Sequence, residues 1–248
     1  MIKISAVSYL NTIPFIHGLK QSELIHRVDL KLDYPSICAD KLINGEVDLA
    51  LVPVAILPKL KEAHIISDYC IGSNGAVDTV CIYSDVPIEQ IESIALDYQS
   101  RTSVALLKIL LKEYWKLNPE LRKANIGFED SIKDKNAALV IGDRAFNLNA
   151  RYKYIYDLSK AWKEMTSLPF VFAAWVTNKK LPQDFVVDFN KSLKNGISDI
   201  GSALNLKGNN YTSCKKPKDY LNNKICYNLD SEMRKGMQLF FRKLKSQL

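Results

Sequence analysis

Four short stretches carry polar side chains at points where a strand or a helix must begin or end, and each is a candidate for chemistry. The first is SYLNT, residues 8–12, which follows the apolar alternation of residues 2–7 and precedes a helical pattern. Asn11 can cap that helix, with Pro14 tolerated in its first turn. Its carboxamide can equally face a cleft as a neutral donor and acceptor, with Ser8 beside it. The second is SNGAVDTV, residues 73–80. Gly75 permits close backbone approach and Thr79 offers a hydroxyl just as a strand starts, with Ser73 at the near end. A plain turn would use the same residue types.

The third stretch is DYQSRTSVALL, residues 97–107, where Ser100, Thr102 and Ser103 crowd the first turn of a helix with an apolar face through Val104, Leu107, Leu110, Leu111 and Tyr114. Hydroxyls and unpaired amides at a helix N-terminus form an anion site suited to a carboxylate. One serine suffices as a cap, so three hydroxyls around Arg101 point to a ligand. The fourth is LVIGDRAF, residues 139–146, an apolar strand running into Gly142 and Asp143. Asp143 can be a helix N-cap or can accept from a ligand hydroxyl.

Other chemistries lack their residues. His17, His26 and His64 have no metal-ligand spacing and fall outside these four stretches, so no metal is expected. The sequence contains no phosphate loop, no Gly-rich dinucleotide fingerprint and no Gly-x-Ser-x-Gly elbow, so no cofactor is expected either. Chemistry would rest on neutral polar groups, backbone amides and the substrate itself.

The elements that must position these groups follow a βα rhythm. A strand at residues 2–7, a helix through IPFIHGLK, a strand at VDLKLDY, a helix through ICADKLING and a buried strand VDLALVP succeed one another, as in a parallel sheet with crossover helices. Ser36 is expected to cap the second helix and Gly45 to end it. After strands and a Gly-centred turn over residues 64–84, the rhythm restarts with the strand ESIALDY, the helix from Ser100, strands ANIGFE and AALVIG, and a helix opening at Asp143. The apolar strand LPFVFAAWVTN, residues 168–178, leads back to the first unit, and the remainder reads as helical. The expected architecture is α/β and two-lobed, each lobe a mixed sheet flanked by helices, with C-terminal helices: residues 1–83 and 177–248 in one lobe, 84–176 in the other, with the ligand cleft between them. In open parallel sheets that cleft lies beyond the carboxyl ends of the strands.

The bulk composition narrows the partners. The 248 residues are 47% hydrophobic and 25% charged, as in a globular chain, and the formal net charge of +7 is spread along the length. No arginine-rich arm or aromatic-interleaved basic stripe points to nucleic acid. The amphipathic stretch at residues 234–245 is expected to pack on the body rather than anchor in a membrane. The sequence opens directly on a strand pattern, with no export signal, and its most apolar run, residues 49–60, is short and broken by prolines, so no membrane span is expected. Five dispersed cysteines give no disulfide framework and suit a reducing, cytoplasmic setting.

The blocks AVSYLNTIPFIHGL, LINGEVDLALVP, SNGAVDTVCIYS, SRTSVALLKILL, LVIGDRA and WKEMTSLPFVFAAW together resemble, in the same order from about residue 3 to 178, the chorismate dehydratases of the futalosine route to menaquinone. The resemblance implies a fold of the type II periplasmic binding-protein kind used as a cytoplasmic lyase without a cofactor, acting as a monomer or homodimer. The small-molecule partner would be the dicarboxylate chorismate, and the product 3-[(1-carboxyvinyl)oxy]benzoate. It implies catalytic roles for Asn11 and for Thr79, where the family commonly has serine. It implies carboxylate binding by Ser100, Thr102 and Ser103, and cleft-shaping roles for Asp143 and the residue 162–170 block. A non-catalytic carboxylate-binding protein of the same fold is the rival reading.

Overall fold

The computed structural model describes residues 1–205 and 213–246. Two mixed sheets form its framework. The first contains β1 (Ile2–Val7), β2 (Val28–Asp33), β3 (Leu49–Pro53), β4 (His64–Ser73), β10 (Phe170–Thr177) and β11 (Cys226–Asn228), in the order β11-β4-β10-β3-β1-β2. The second contains β5 (Val80–Ser84), β6 (Ser93–Leu96), β7 (Glu120–Lys123), β8 (Asn136–Ile141) and β9 (Tyr154–Asp157), in the order β7-β6-β8-β5-β9. Parallel pairs β1/β2, β1/β3, β6/β7 and β6/β8 lie beside antiparallel ones, so the architecture is α/β with two mixed sheets, as the sequence pattern suggests. The chain passes from one sheet to the other between Ser73 and Val80, and back between Asp157 and Phe170. The expected divisions after residues 83 and 176 each lie one strand further along.

Helices close the faces of the sheets. Helix α1 (Ile13–Lys20) presses against α5 (Gln183–Ser198) through two glycines. A Cβ on Gly18 would fall 2.0 Å from the Ser192 carbonyl oxygen, and one on Gly196 would fall 1.9 Å from that of Pro14. Helix α2 (Pro35–Ile43) begins at its proline, and Tyr34 before it is extended as a residue preceding proline must be. Ser36 is therefore already inside the helix and does not cap it, contrary to expectation. Gly45 does end it, at φ +70°, with its amide on the Leu42 carbonyl and the Glu46 amide on Lys41, a Schellman arrangement.

Helix α3 (Arg101–Leu110) continues into a wider turn over Leu111–Trp115. The expected strand over residues 124–129 is absent: Gly127 at φ +83° breaks the extended path, and β7 lies just before it. The edge strands β9 and β11 have no counterpart in the sequence expectation. Helix α4 (Leu158–Thr166) follows β9, and the short helices α6 (Ile200–Leu204) and α7 (Pro217–Asp219) follow α5, α7 running on into a wide turn over Tyr220–Lys224. Helix α8 (Ser231–Lys245) buries Met233, Met237 and Phe240 against the body, so its amphipathic face is used for packing. No helix among the described residues is long and apolar enough to cross a membrane.

Candidate functional site

The carboxyl end of β1, the residue 74–79 connection, the end of β8 and the start of α3 converge on a cavity between the sheets. Its polar lining includes Tyr9, Asn11, Thr79, Ser100 and Ser103. Val77, Ile141, Phe172 and Pro35 supply much of its apolar wall. The cavity is small, with a volume of about 60 Å³. Hydrogen bonds from Leu10 to Asp143 and from Tyr9 to Gln99 join the two lobes beside this space, so the lobes stand closed over it.

Asn11 sits in a 3₁₀ turn, Leu10–Thr12, directly after β1. The residue flanking α1 is Thr12, and no side chain caps that helix, so Asn11 is free of the capping role that the sequence allowed. Its side-chain oxygen accepts from the Thr12 hydroxyl at 3.2 Å, and its backbone carbonyl accepts from the Tyr227 hydroxyl at 3.0 Å. The first contact orients the carboxamide and the second fixes the backbone that carries it at the cavity wall.

Thr79 reaches the same cavity from the connection into β5. The Asp157 carboxylate anchors that connection, accepting from the amides of Val77 at 2.8 Å and Asp78 at 2.7 Å while its other oxygen caps α4 through Ser159 and Lys160. Asp78 stands in the left-handed region at φ +63°, which turns the chain sharply into Thr79. The Thr79 hydroxyl lies 2.8 Å from that of Tyr220. The residue is buried, and the methyl that branches from its Cβ restricts χ1, so the hydroxyl has few directions open to it.

At the start of α3 the Ser100 hydroxyl accepts the Ser103 amide at 3.0 Å and donates to the Ser103 hydroxyl at 2.8 Å. The pair caps the helix and still lines the cavity, leaving first-turn amides that no carbonyl within the helix can reach. Thr102 does not join them. Its side-chain oxygen accepts the Ala55 amide at 3.1 Å, tying α3 to the turn after β3.

Four further expected site residues lie outside the lining of the cavity. Ser8 is exposed, with its amide on the Asp33 carbonyl, and Ser73 is buried with its hydroxyl 2.6 Å from that of Ser159. Gly75 lies at φ +124° with nothing within 4 Å of the position a Cβ would take, so it serves the turn rather than a close approach. Asp143 caps no helix: both its oxygens lie 3.1 Å from the Leu10 amide in the opposite lobe. Burial raises its carboxyl to about 6, against the opposing pull of the Leu10 amide.

Two neighbours of the site lie within the candidate stretches but have no role assigned from sequence. Tyr9 bonds Gln99 across the cleft, and its ring covers Gly142, where a Cβ would come within 2.6 Å of it. Burial pushes the Tyr9 phenol well above its usual range, which keeps it neutral. Among the described residues, the lining contains no His, Asp, Glu, Lys or Arg, and no group of three His, Cys, Asp or Glu is placed to hold a metal. The cavity can therefore orient a ligand by hydrogen bonds and a helix N-terminus, while its apolar walls keep water out.

The chain resembles a chorismate dehydratase of Thermus thermophilus, with 30% identity over 194 residues, covering 70% of this chain and 69% of that protein. A chorismate dehydratase of Campylobacter jejuni is 27% identical over 194 residues, covering 75% and 73%. Among solved structures, an Archaeoglobus fulgidus protein superposes with a TM-score of 0.77 at 12% identity, covering 99% of this chain and 97% of its own. The alkanesulfonate-binding protein of Xanthomonas axonopodis pv. citri, bound to MOPS, gives 0.62 at 12% identity, covering 98% and 92%. A Candida albicans protein with the generic periplasmic binding-protein fold gives 0.61 at 10%, covering 99% and 95%. At such identities the structural likeness shows the fold, which is that of the periplasmic binding proteins. The sequence pattern of a family described as menaquinone biosynthesis matches residues 2–246, a span that takes in every group lining the cavity, and the chain belongs to that family.

Proposed function

We propose that this protein is a chorismate dehydratase, removing water from chorismate to give 3-[(1-carboxyvinyl)oxy]benzoate. The observation that carries the reading is the cavity's chemistry: neutral amide and hydroxyl groups at the mouth of a helix N-terminus, enclosed by apolar walls. Two curated relatives bear the name chorismate dehydratase.

Chorismate carries two carboxylates. One suits the Ser100 and Ser103 hydroxyls with the first-turn amides of α3, where the helix dipole favours negative charge. Asn11 and Thr79 then face the ring. Elimination moves a ring proton to a base, breaks the bond between the ring carbon and its hydroxyl, and lets that hydroxide leave as water after taking up a proton. The ring becomes aromatic, which supplies the driving force.

The proton acceptor is the substrate's own enolpyruvyl carboxylate, held in reach by the closed site. No titratable carboxylate or imidazole lines the cavity among the described residues, and burial keeps the Tyr9 phenol protonated. Asn11 and Thr79 orient the carboxylate and the departing hydroxyl, contributing pre-set hydrogen bonds rather than proton transfer of their own. Incubation of the purified protein with chorismate tests the reading. An aromatic product lighter by one water supports it, and chorismate that is retained unchanged would favour a binding protein.

A further inference from the structure

The segment after α5 returns two tyrosine hydroxyls to the site. Tyr227, on β11, donates to the Asn11 carbonyl at 3.0 Å. Tyr220, in the wide turn after α7, places its hydroxyl 2.8 Å from Thr79 Oγ1, and the Asn11 carboxamide also neighbours it. Tyr220 is held from both sides. Phe146 meets its ring edge-on at 5.0 Å, and Lys224 in the same turn pairs with Asp78 at 2.9 Å, directly before Thr79.

We propose that Tyr220 is a positioning residue for the dehydration, fixing the rotor of the Thr79 hydroxyl so that its hydrogen points into the cavity; this rests on the dehydratase reading. A threonine hydroxyl has one hydrogen to donate and two lone pairs. Among the described residues, the other protein acceptor within hydrogen-bonding range of the Thr79 hydroxyl is the Val77 carbonyl, at 3.4 Å, too long to hold its hydrogen firmly. A proton donated by Tyr220 occupies one lone pair of Thr79 Oγ1 and sets the geometry of the remaining positions. Burial pushes the Tyr220 phenol well above its usual range, so the group is a neutral donor at physiological pH and not a base. The Asn11 amide hydrogens can complete a directed chain from Asn11 through Tyr220 to Thr79, polarising each member in turn.

Steady-state kinetics of Tyr220→Phe, Thr79→Val and the double variant test this. Tyr220→Phe should lower kcat roughly 10- to 100-fold with KM held within about twofold, since the phenol does not line the cavity. The double variant should be no slower than Thr79→Val alone, because Tyr220 acts through a hydroxyl that is already gone. Tyr220→Met, with a side chain that adapts to the space, provides the second variant and should show the same loss in kcat. Full kcat in either single variant at Tyr220, or losses that multiply in the double variant, would overturn the positioning role while wild-type turnover stands. A wild-type protein that leaves chorismate unchanged would overturn the dehydratase reading and the positioning role with it.

Discussion

The Leu10 amide, in the first lobe, points at both carboxylate oxygens of Asp143, in the second, at 3.1 Å each. The bond spans the cleft one residue away from Asn11 on one side and one residue away from Gly142 on the other. With the Tyr9–Gln99 bond and the Ser36 amide on the Gln99 carbonyl at 3.1 Å, it forms a latch across the closed site. Substrate entry requires this latch to open. Asp143→Ala should therefore weaken the closed state and raise KM about tenfold, from the loss of an acceptor whose removal costs about 1–3 kcal/mol. Asp143→Asn keeps an acceptor and should lie near wild type. Equal KM values for Asp143→Ala and wild type would contradict the latch.

The same carboxyl makes stability depend on pH. Its value is raised from 3.8 to about 6 by burial, so between about pH 4 and pH 6 the folded protein holds a proton that the unfolded chain has released. The stabilisation from this site is complete at about pH 4 and is lost as pH rises through 6. Urea unfolding of wild type and Asp143→Asn across pH 4–7 should show wild type losing on the order of 2 kcal/mol relative to the variant. Parallel stability curves would contradict it.

Thr79 and its substitutions separate hydroxyl from methyl. Thr79→Ser keeps the hydroxyl and frees χ1, and should retain kcat within a few-fold. Thr79→Val keeps the shape and loses the hydroxyl, and should lose roughly 100-fold or more, the scale on which a single transition-state hydrogen bond counts. Comparison of kcat for the two variants decides this. Comparable rates would mean that the hydroxyl does no chemistry.

The start of α3 offers a contrast between two hydroxyls two residues apart. Ser100→Ala should cost about 1 kcal/mol as a lost cap and also raise KM, because Ser100 lines the cavity. Thr102→Ala should cost stability with KM unchanged, because its side chain engages the Ala55 amide away from the cavity. Thermal unfolding and KM for both variants check the division. A raised KM in Thr102→Ala would contradict the placement.

Much of this was legible in local residue types. The alternation of Ile2, Ile4 and Ala6, the five buried residues of Leu49–Pro53 and the Gly45 helix end all follow from short-range rules, and they placed SYLNT and SRTS at element ends. Partners chosen across the chain were not legible. Asp143 has the residue type of a helix cap, yet the turn it opens leaves its carboxylate to Leu10, more than a hundred residues earlier. Thr102 is indistinguishable in type from Ser100 and Ser103, and only the helix phase sends it to Ala55. The family resemblance in residues 3–178 also stopped short of Tyr220 and Tyr227, whose hydroxyls reach Thr79 and Asn11 through contacts over 141 and 216 residues. Lone tyrosines in a helical-looking tail have no periodicity or spacing that announces such a contact.

Gly142 tests how tightly the site is built. It occupies φ +68°, and a Cβ there would come within 2.6 Å of the Tyr9 ring. Gly142→Ala should displace Tyr9, destabilise the fold by about 1–3 kcal/mol and slow turnover. Urea unfolding measures the first effect and kcat the second. Wild-type values of both would contradict the close packing described.

The most direct measurement follows chorismate by nuclear magnetic resonance in the presence of purified wild-type protein, with Asn11→Ala in parallel. Wild type should convert the ring signals to those of a meta-substituted aromatic ring that keeps its enolpyruvyl group, and Asn11→Ala should do so at least about 100-fold more slowly. Unchanged chorismate with wild type, or equal rates for the two proteins, would contradict a dehydratase built on Asn11.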